Sequence, residues 1–361
     1  MVRYSDIIKK KGKIERKDIS HRDRSKKDDL RLSESEIFKM NGEKVLTAKS
    51  LTDRANLEII KQYDKLKNKA IDIGERVKND QGISPSSILS DLHDIISKDL
   101  INDLYVYTMF CSDDPEDLTF HTMSVTFGSL KIGKGMGYDT EMLLKLGLAT
   151  FLENVGMYKI PDTILKKRGK LEKEEIAIIK AHPEAGAEIL GRMGERYGWL
   201  AEVALQIHER SDGSGYPRGL RGKEISELAS IIGLMDTYMA MIRKRPHRDR
   251  VVQTDAIKSI VKTNKDLFPS SILKTLLDQL SLFPVNTYVR LNNKSIGVVL
   301  STEKNQPLRP TVELLYDGQG NRLERGEVIR LADNPLLYLV ESIDEKNLPP
   351  SSNFPTVNGA E

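Results

Sequence analysis

The sequence predicts a mainly α protein, with an all-helical core, a helical module before it and a small β-rich appendage after it. Three observations carry this. Apolar residues recur at three- and four-residue intervals from about 50 to 110, the signature of one buried helix face. Helical segments continue to about 280, broken at Gly133-Lys134-Gly135, Arg168-Gly169 and Tyr197-Gly198. After Phe283-Pro284 the pattern changes to short β-rich runs between turn dipeptides.

Taken in order, residues 1–40 are charged, nearly free of aromatics and without an apolar period, which predicts a mobile tail. Residues 9–31 hold 11 Lys/Arg against 5 Asp/Glu, a net +6, whereas the whole chain carries only +3. The basic excess is local, and the bulk of the chain gives no strong nucleic-acid signal. Residues 41–114 predict a helical N-terminal module. LTDRANLEIIKQYDKLKNKAIDIGERV keeps the helical period, and Ser84-Pro85-Ser86 suits the start of a second helix. Within it, His93-Asp94 reads as a helix-surface pair. The single cysteine, Cys111, reads as a small core residue in a reducing compartment.

Residues 115–282 make the predicted central helical domain, and 283–345 the appendage. In the appendage TYVRLN, SIGVVLST, PTVELLYD and EVIRLAD are strand-like runs, with Asn292-Asn293 and Asp317-Gly318 as turns. Residues 346–361, rich in Pro and Ser, predict a disordered tail. No segment approaches the roughly 18 apolar residues of a membrane span, and the amino terminus lacks a signal-peptide stretch. The expectation is a cytoplasmic protein.

The chemistry collects in the central domain. His121 opens FHTMSVTFGSL, His182 starts the helix of AHPEAGAEIL, and His208 ends the apolar helix AEVALQIHER. Asp236 lies in the otherwise apolar SIIGLMDTYMAMI, where an ionised carboxylate is costly unless paired or bound to a cation. Three imidazoles and a buried acid on separate helices are how an all-α core builds a mixed nitrogen and oxygen metal site. The same positions also suit histidines satisfied within a core, and spacing alone does not choose.

The order of the motifs does. His121, then ENVGMYKIPDTIL, AHPEAGAEIL, HERSDGSGYPRGLRGKEI, IIGLMD and RKRPHR resemble the HD-GYP domain, a subgroup of the HD metal-dependent phosphohydrolases. The β-rich tail also looks like the C-terminal extension of some members. The resemblance implies an all-helical domain with a centre of iron or manganese that hydrolyses cyclic di-GMP. In such centres neighbouring cations acidify a water and offset charge on the phosphate oxygens. It assigns His121, His182, His208 and Asp236 to the metal, with Glu153, Asn154 and Asp117 as further candidates. It assigns Arg245 and Arg248 to phosphate, a stretch that also reads as a solvated basic turn. Asp212, Gly213, Gly215, Tyr216 and Pro217 make the GYP loop, at the site entrance or a partner contact.

The chain departs from the family pattern at the metal. The name-giving His-Asp pair is Glu153-Asn154, and Asn154 offers one neutral carbonyl oxygen where a bridging carboxylate belongs. The lysine three residues on is Met157, and the first of two paired histidines is Ile207. Ser230 and Met239 stand where an arginine and an acid are expected, and His247 where Tyr is usual. The expectation is therefore a divergent member in cyclic di-GMP signalling with a single divalent ion or none. It would act mainly as a binding or interaction module with weak or lost hydrolysis. Its partners would be cyclic di-GMP or a related nucleotide, or a GGDEF-type diguanylate cyclase. The alternatives are an active phosphodiesterase using Glu153 and Asn154 as substitute ligands, and a phosphohydrolase acting on another nucleotide.

Overall fold

A computed structural model describes residues 57–110, 117–167, 169–242, 251–263, 265–281, 283–303 and 306–349. The expected tail 1–40, Cys111, Arg245, His247 and Arg248 lie outside the described residues, as do residues 350–361.

Two helices open the described chain, α1 (Leu57–Lys78) and α2 (Pro85–Ser97), the second starting after Ser84 as its Ser-Pro signal predicts. The apolar stripe of α1, from Ile59 and Tyr63 to Ile73 and Val77, is buried, as its period requires. Buried Asp91 on α2 is held by Lys65 and Lys69 of α1, so its charge is paired rather than stranded. Next come α3 (Ile101–Phe110), α4 (Leu118–Gly135) and α5 (Thr140–Leu152). Asp117 and Asp139 cap the last two through backbone amides two and three residues on.

After α5 a 3-10 turn, Val155–Lys159, leads to the short α6 (Asp162–Leu165), then α7 (Lys173–Lys180), α8 (His182–Gly191) and α9 (Gly198–Gln206). The helical part closes with α10 (Glu227–Ile242), α11 (Gln253–Thr263) and α12 (Ser270–Leu280). One continuous apolar core joins α1 to α5 and α8 to α12, and α4 and α10 run through it with most of their residues buried. Such all-round apolar helices belong in the middle of a bundle, where a polar group must find a partner or a ligand.

The appendage is a five-stranded antiparallel sheet of β1 (Tyr288–Leu291), β2 (Ile296–Glu303), β3 (Gln306–Tyr316), β4 (Arg322–Arg330) and β5 (Leu339–Ile343). Its order is β4-β3-β2-β1-β5. Val289, Leu291, Val299, Val312 and Leu314 form its own small core. The four predicted runs lie on β1 to β4. The fifth strand was not anticipated: LVESI carries two polar residues and presents Val340 and Glu341 to solvent at the sheet edge. Among the described residues no helix is long and apolar enough to cross a membrane.

Candidate metal centre

The site forms where α4 crosses α10. Gly128 on α4 lies beneath the Met235 and Met239 side chains of α10, and two turns earlier His121 faces Asp236. His121 Nε2 and Asp236 Oδ1 are 2.9 Å apart. Glu153 follows the last residue of α5 and reaches the same point from the side. One nitrogen of His121 and one carboxylate oxygen from each of Glu153 and Asp236 lie within 4.8 Å of one another.

Two glycines bring the remaining histidines in. A Cβ on Gly156 would overlap the His182 carbonyl and stand 2.7 Å from the Gly186 amide nitrogen, so only glycine lets the 3-10 turn rest on the first turn of α8. A Cβ on Gly233 would overlap the Ile207 carbonyl, so α10 lies directly against the end of α9. Sequence placed His208 as the last residue of that helix. It lies instead in the following turn, because α9 ends at Gln206 and the Glu209 amide bonds back to the Gln206 carbonyl.

His182 and His208 meet edge to face, with their Nε2 atoms 2.9 Å apart. His182 Nδ1 lies 2.7 Å from the Ile179 carbonyl, which can only accept, so its proton sits on Nδ1 and its Nε2 lone pair faces the site. Burial lowers the affinity of His182 for a second proton, and pushes His208 down to about 3. Both rings are therefore neutral at pH 7, the state in which imidazole ligates a metal. His208 Nδ1 is 3.9 Å from Asp236 Oδ2, so Asp236 has one oxygen toward His121 and the other toward His208.

Glu153 is the most constrained acid of the group. It is 2% exposed, its Oε2 has no hydrogen-bond partner, and its Oε1 accepts from Asn154 Nδ2 at 3.2 Å. Burial, with the nearby Asp236 charge adding to it, holds its carboxyl well above the usual carboxylate range. A cation among these oxygens would reverse that balance and give the unpartnered Oε2 a ligand. The donor set thus fits a divalent metal: Glu153 and His121 on one side of Asp236, two neutral imidazoles on the other.

The other predicted residues fall as follows. Asn154 points its amide at Glu153. Asp117 caps α4 by accepting from the Thr119 amide at 3.0 Å, a local use of the carboxylate that sequence spacing did not reveal. Ile207 and Met239 belong to the apolar core, Ser230 is buried in α10, and Met157 is half-buried in the 3-10 turn. In the GYP loop, Asp212 closes a turn by accepting from Ser214, Gly213 has φ +79°, and Gly215 has no room for a Cβ beside the Glu209 and Arg210 backbone. Tyr216, joined to Pro217 by a cis peptide, stacks on His208 at 4.9 Å between ring centroids and 6° between planes. Lys180 Nζ lies over the Tyr216 ring, 5.1 Å from its centroid.

Sequence reasoning missed Glu209. Buried at 3% exposure, it accepts from the amides of Arg218 and Gly219 on Oε1 and of Leu220 on Oε2. Its only sequence signal was an acid directly after His208 and ahead of a glycine-rich loop.

The HD-domain family profile matches residues 106–272, and that of a KOW domain associated with HD domains matches 288–350. Residues 106–272 are thus similar to an HD domain, and the GYP loop seated on this centre resembles the HD-GYP subgroup. The HD-domain match begins inside α3 and ends within α12. HD domains are metal-dependent, which agrees with the donor set. A cyclic di-GMP phosphodiesterase of Pseudomonas aeruginosa is 29% identical over 233 residues, covering 64% of this chain and 56% of the relative. A cyclic di-GMP phosphodiesterase of Thermotoga maritima is 35% identical over 158 residues, covering 44% and 43%. The chain spans about half the length of the curated relatives it matches. The solved structure of an HDG"Y"P protein from Bdellovibrio bacteriovorus superposes with a TM-score of 0.50 at 18% identity, covering 60% of this chain and 69% of that one. That likeness is one of fold.

Proposed function

We propose that this protein, as an HD-GYP member, acts in cyclic di-GMP signalling as a binding or interaction module that holds a single divalent transition metal, iron or manganese. Hydrolysis is weak or lost. The observation that carries the reading is the convergence of His121, Glu153 and Asp236 around the unpartnered buried Oε2 of Glu153, beside a neutral Asn154. The three donors suit one ion. Asn154 lacks the charge to bridge a second, and Ile207 supplies core packing where another imidazole would be needed.

A bound ion would supply Lewis acidity toward a phosphodiester oxygen and would acidify a water. The chain's own residues set the stage around it. The Ile179 carbonyl fixes the proton of His182 and so the direction of its lone pair. Burial keeps His182 and His208 neutral, and Asp236 holds His121 at 2.9 Å with its other oxygen turned toward His208. Arg245 and Arg248, three residues apart in the sequence, would pair with phosphate oxygens, and Tyr216 would line the entrance. Each charge-assisted bond to phosphate contributes about 1.5–3 kcal/mol, enough for a micromolar site.

The test joins three measurements on one preparation: metal content after anaerobic purification, calorimetry with cyclic di-GMP, and product analysis with added Fe(II) or Mn(II). The reading expects at most one metal per chain, heat that disappears in Arg245→Ala/Arg248→Ala, and little linear product. Two metals with rapid turnover would establish the active phosphodiesterase instead, with Glu153 and Asn154 as substitute ligands. Absence of nucleotide binding with and without metal would move the function to partner docking at the Tyr216 loop, with a GGDEF-type diguanylate cyclase as the first partner to try.

A further inference from the structure

The two buried imidazoles are oriented by different means. His182 is locked by a hydrogen bond from Nδ1 to the Ile179 carbonyl. His208 lies beyond the end of α9; its Nε2 meets His182 Nε2 at 2.9 Å, and its Nδ1 is 3.9 Å from Asp236 Oδ2, too far for a hydrogen bond. Its plane is matched by Tyr216, whose ring lies parallel to it within 6°. The Tyr216 amide also donates to the His208 carbonyl at 3.2 Å, so ring and backbone meet the same residue.

The residue after His208 ties down the segment that follows Tyr216. Glu209 gathers the amides of Arg218, Gly219 and Leu220 at 2.7, 3.1 and 3.0 Å, beginning two residues past Tyr216. Both oxygens are used, the side chain is buried, and three consecutive backbone donors become fixed relative to the base of the loop. The segment from 213 to 222 carries four glycines, and the three bonds to Glu209 add to the turn closed by Asp212 and the Asp212–Arg221 bridge in defining its path. We propose that Glu209 is a positioning residue, which holds the loop so that Tyr216 lies flat on His208 and sets the plane of that imidazole. The loop is then part of the metal centre's orienting shell, in the place a hydrogen-bonded carbonyl takes for His182.

The inference rests on the metal reading only for its second readout. The first is the NMR spectrum of the metal-free full chain, in which the Tyr216 ring current shifts the His208 ring protons upfield. Tyr216→Leu should abolish that shift, Tyr216→Phe should keep it, and Glu209→Gln should lose most of it, since an amide nitrogen would face a backbone N–H. In the double variant Glu209→Gln/Tyr216→Leu the His208 signals should match Tyr216→Leu alone. The second readout is Mn(II) affinity by electron paramagnetic resonance, expected to fall about tenfold in Glu209→Gln and in Tyr216→Leu, without adding in the pair. If Glu209→Gln does not fold, Glu209→Asp draws the acceptor back by one methylene and carries the same comparison. A folded Glu209 variant that keeps the His208 shift overturns the proposal. A wild-type protein that binds no Mn(II) removes the metal reading and leaves the NMR comparison to decide Glu209.

Discussion

Glu153→Gln should stabilise the metal-free protein, although it removes a proposed ligand. Glu153 is buried, one of its oxygens has no partner, and burial raises its proton affinity well above that of an exposed glutamate. Between the unfolded value of 4.5 and the raised folded value, the native state keeps a proton that the unfolded state has released. The stabilising contribution is therefore complete below about 4.5 and is lost as pH rises through the folded value. Each unit of upward displacement weakens the native state by about 1.36 kcal/mol once pH exceeds both values. Glutamine has nearly the same shape and never ionises. Its oxygen keeps the Asn154 donor, and its amide can turn toward Asp236.

Relief of an unsatisfied buried group corresponds to about 1–3 kcal/mol at pH 8, with the gap closing toward pH 4.5. Urea unfolding of chelator-treated protein at pH 5, 6.5 and 8 measures it. Saturating Mn(II) should reverse the order: at 100 times its Kd the ion stabilises wild type by about 2.7 kcal/mol, and the variant by less. The reasoning fails if metal-free Glu153→Gln is less stable than wild type at pH 8, or if the gap does not change with pH.

Gly156→Ala should cost about 1–3 kcal/mol or more in chemical unfolding, because its Cβ would meet the His182 and Gly186 backbone rather than a movable side chain; Mn(II) affinity should fall with it. Asn154→Asp restores a second charged carboxyl and should raise Mn(II) affinity, read by the same titration, while lowering metal-free stability at pH 8. Ile207→Ala should cost about 2–5 kcal/mol in unfolding and leave metal content per folded chain unchanged, as fits a core residue beside the centre.

The helices were legible because their apolar period survives in a chain whose core is almost wholly helical, and β1 to β4 because β-branched runs alternate with turn dipeptides. The fifth strand was hidden by Glu341 and Ser342, which an edge strand tolerates on its open side. The histidines and Asp236 stood out as rare polar groups in apolar helices, and the motif order tied them together. Asp117 shows the limit of spacing. One turn before His121 it stands at a candidate ligand position, and the same position is the N-cap of α4, where Oδ1 accepts from the Thr119 amide, a use that spacing alone does not show. Glu209 escaped because its partners are backbone amides nine to eleven residues away, which leave no trace in side-chain pattern.

Ile207 is 3% exposed and Met239 fully enclosed, its methyl group resting over Gly128 between the two central helices. These side chains are part of the packing that keeps α4, α9 and α10 together. A histidine at 207 or an acid at 239 would place a polar group in that packing, at a cost only a bound ligand could offset. The apolar face of this centre is thus fixed by packing, and an added ligand would be accommodated at the polar side, around Glu153 and Asp236, at less cost than at 207 or 239.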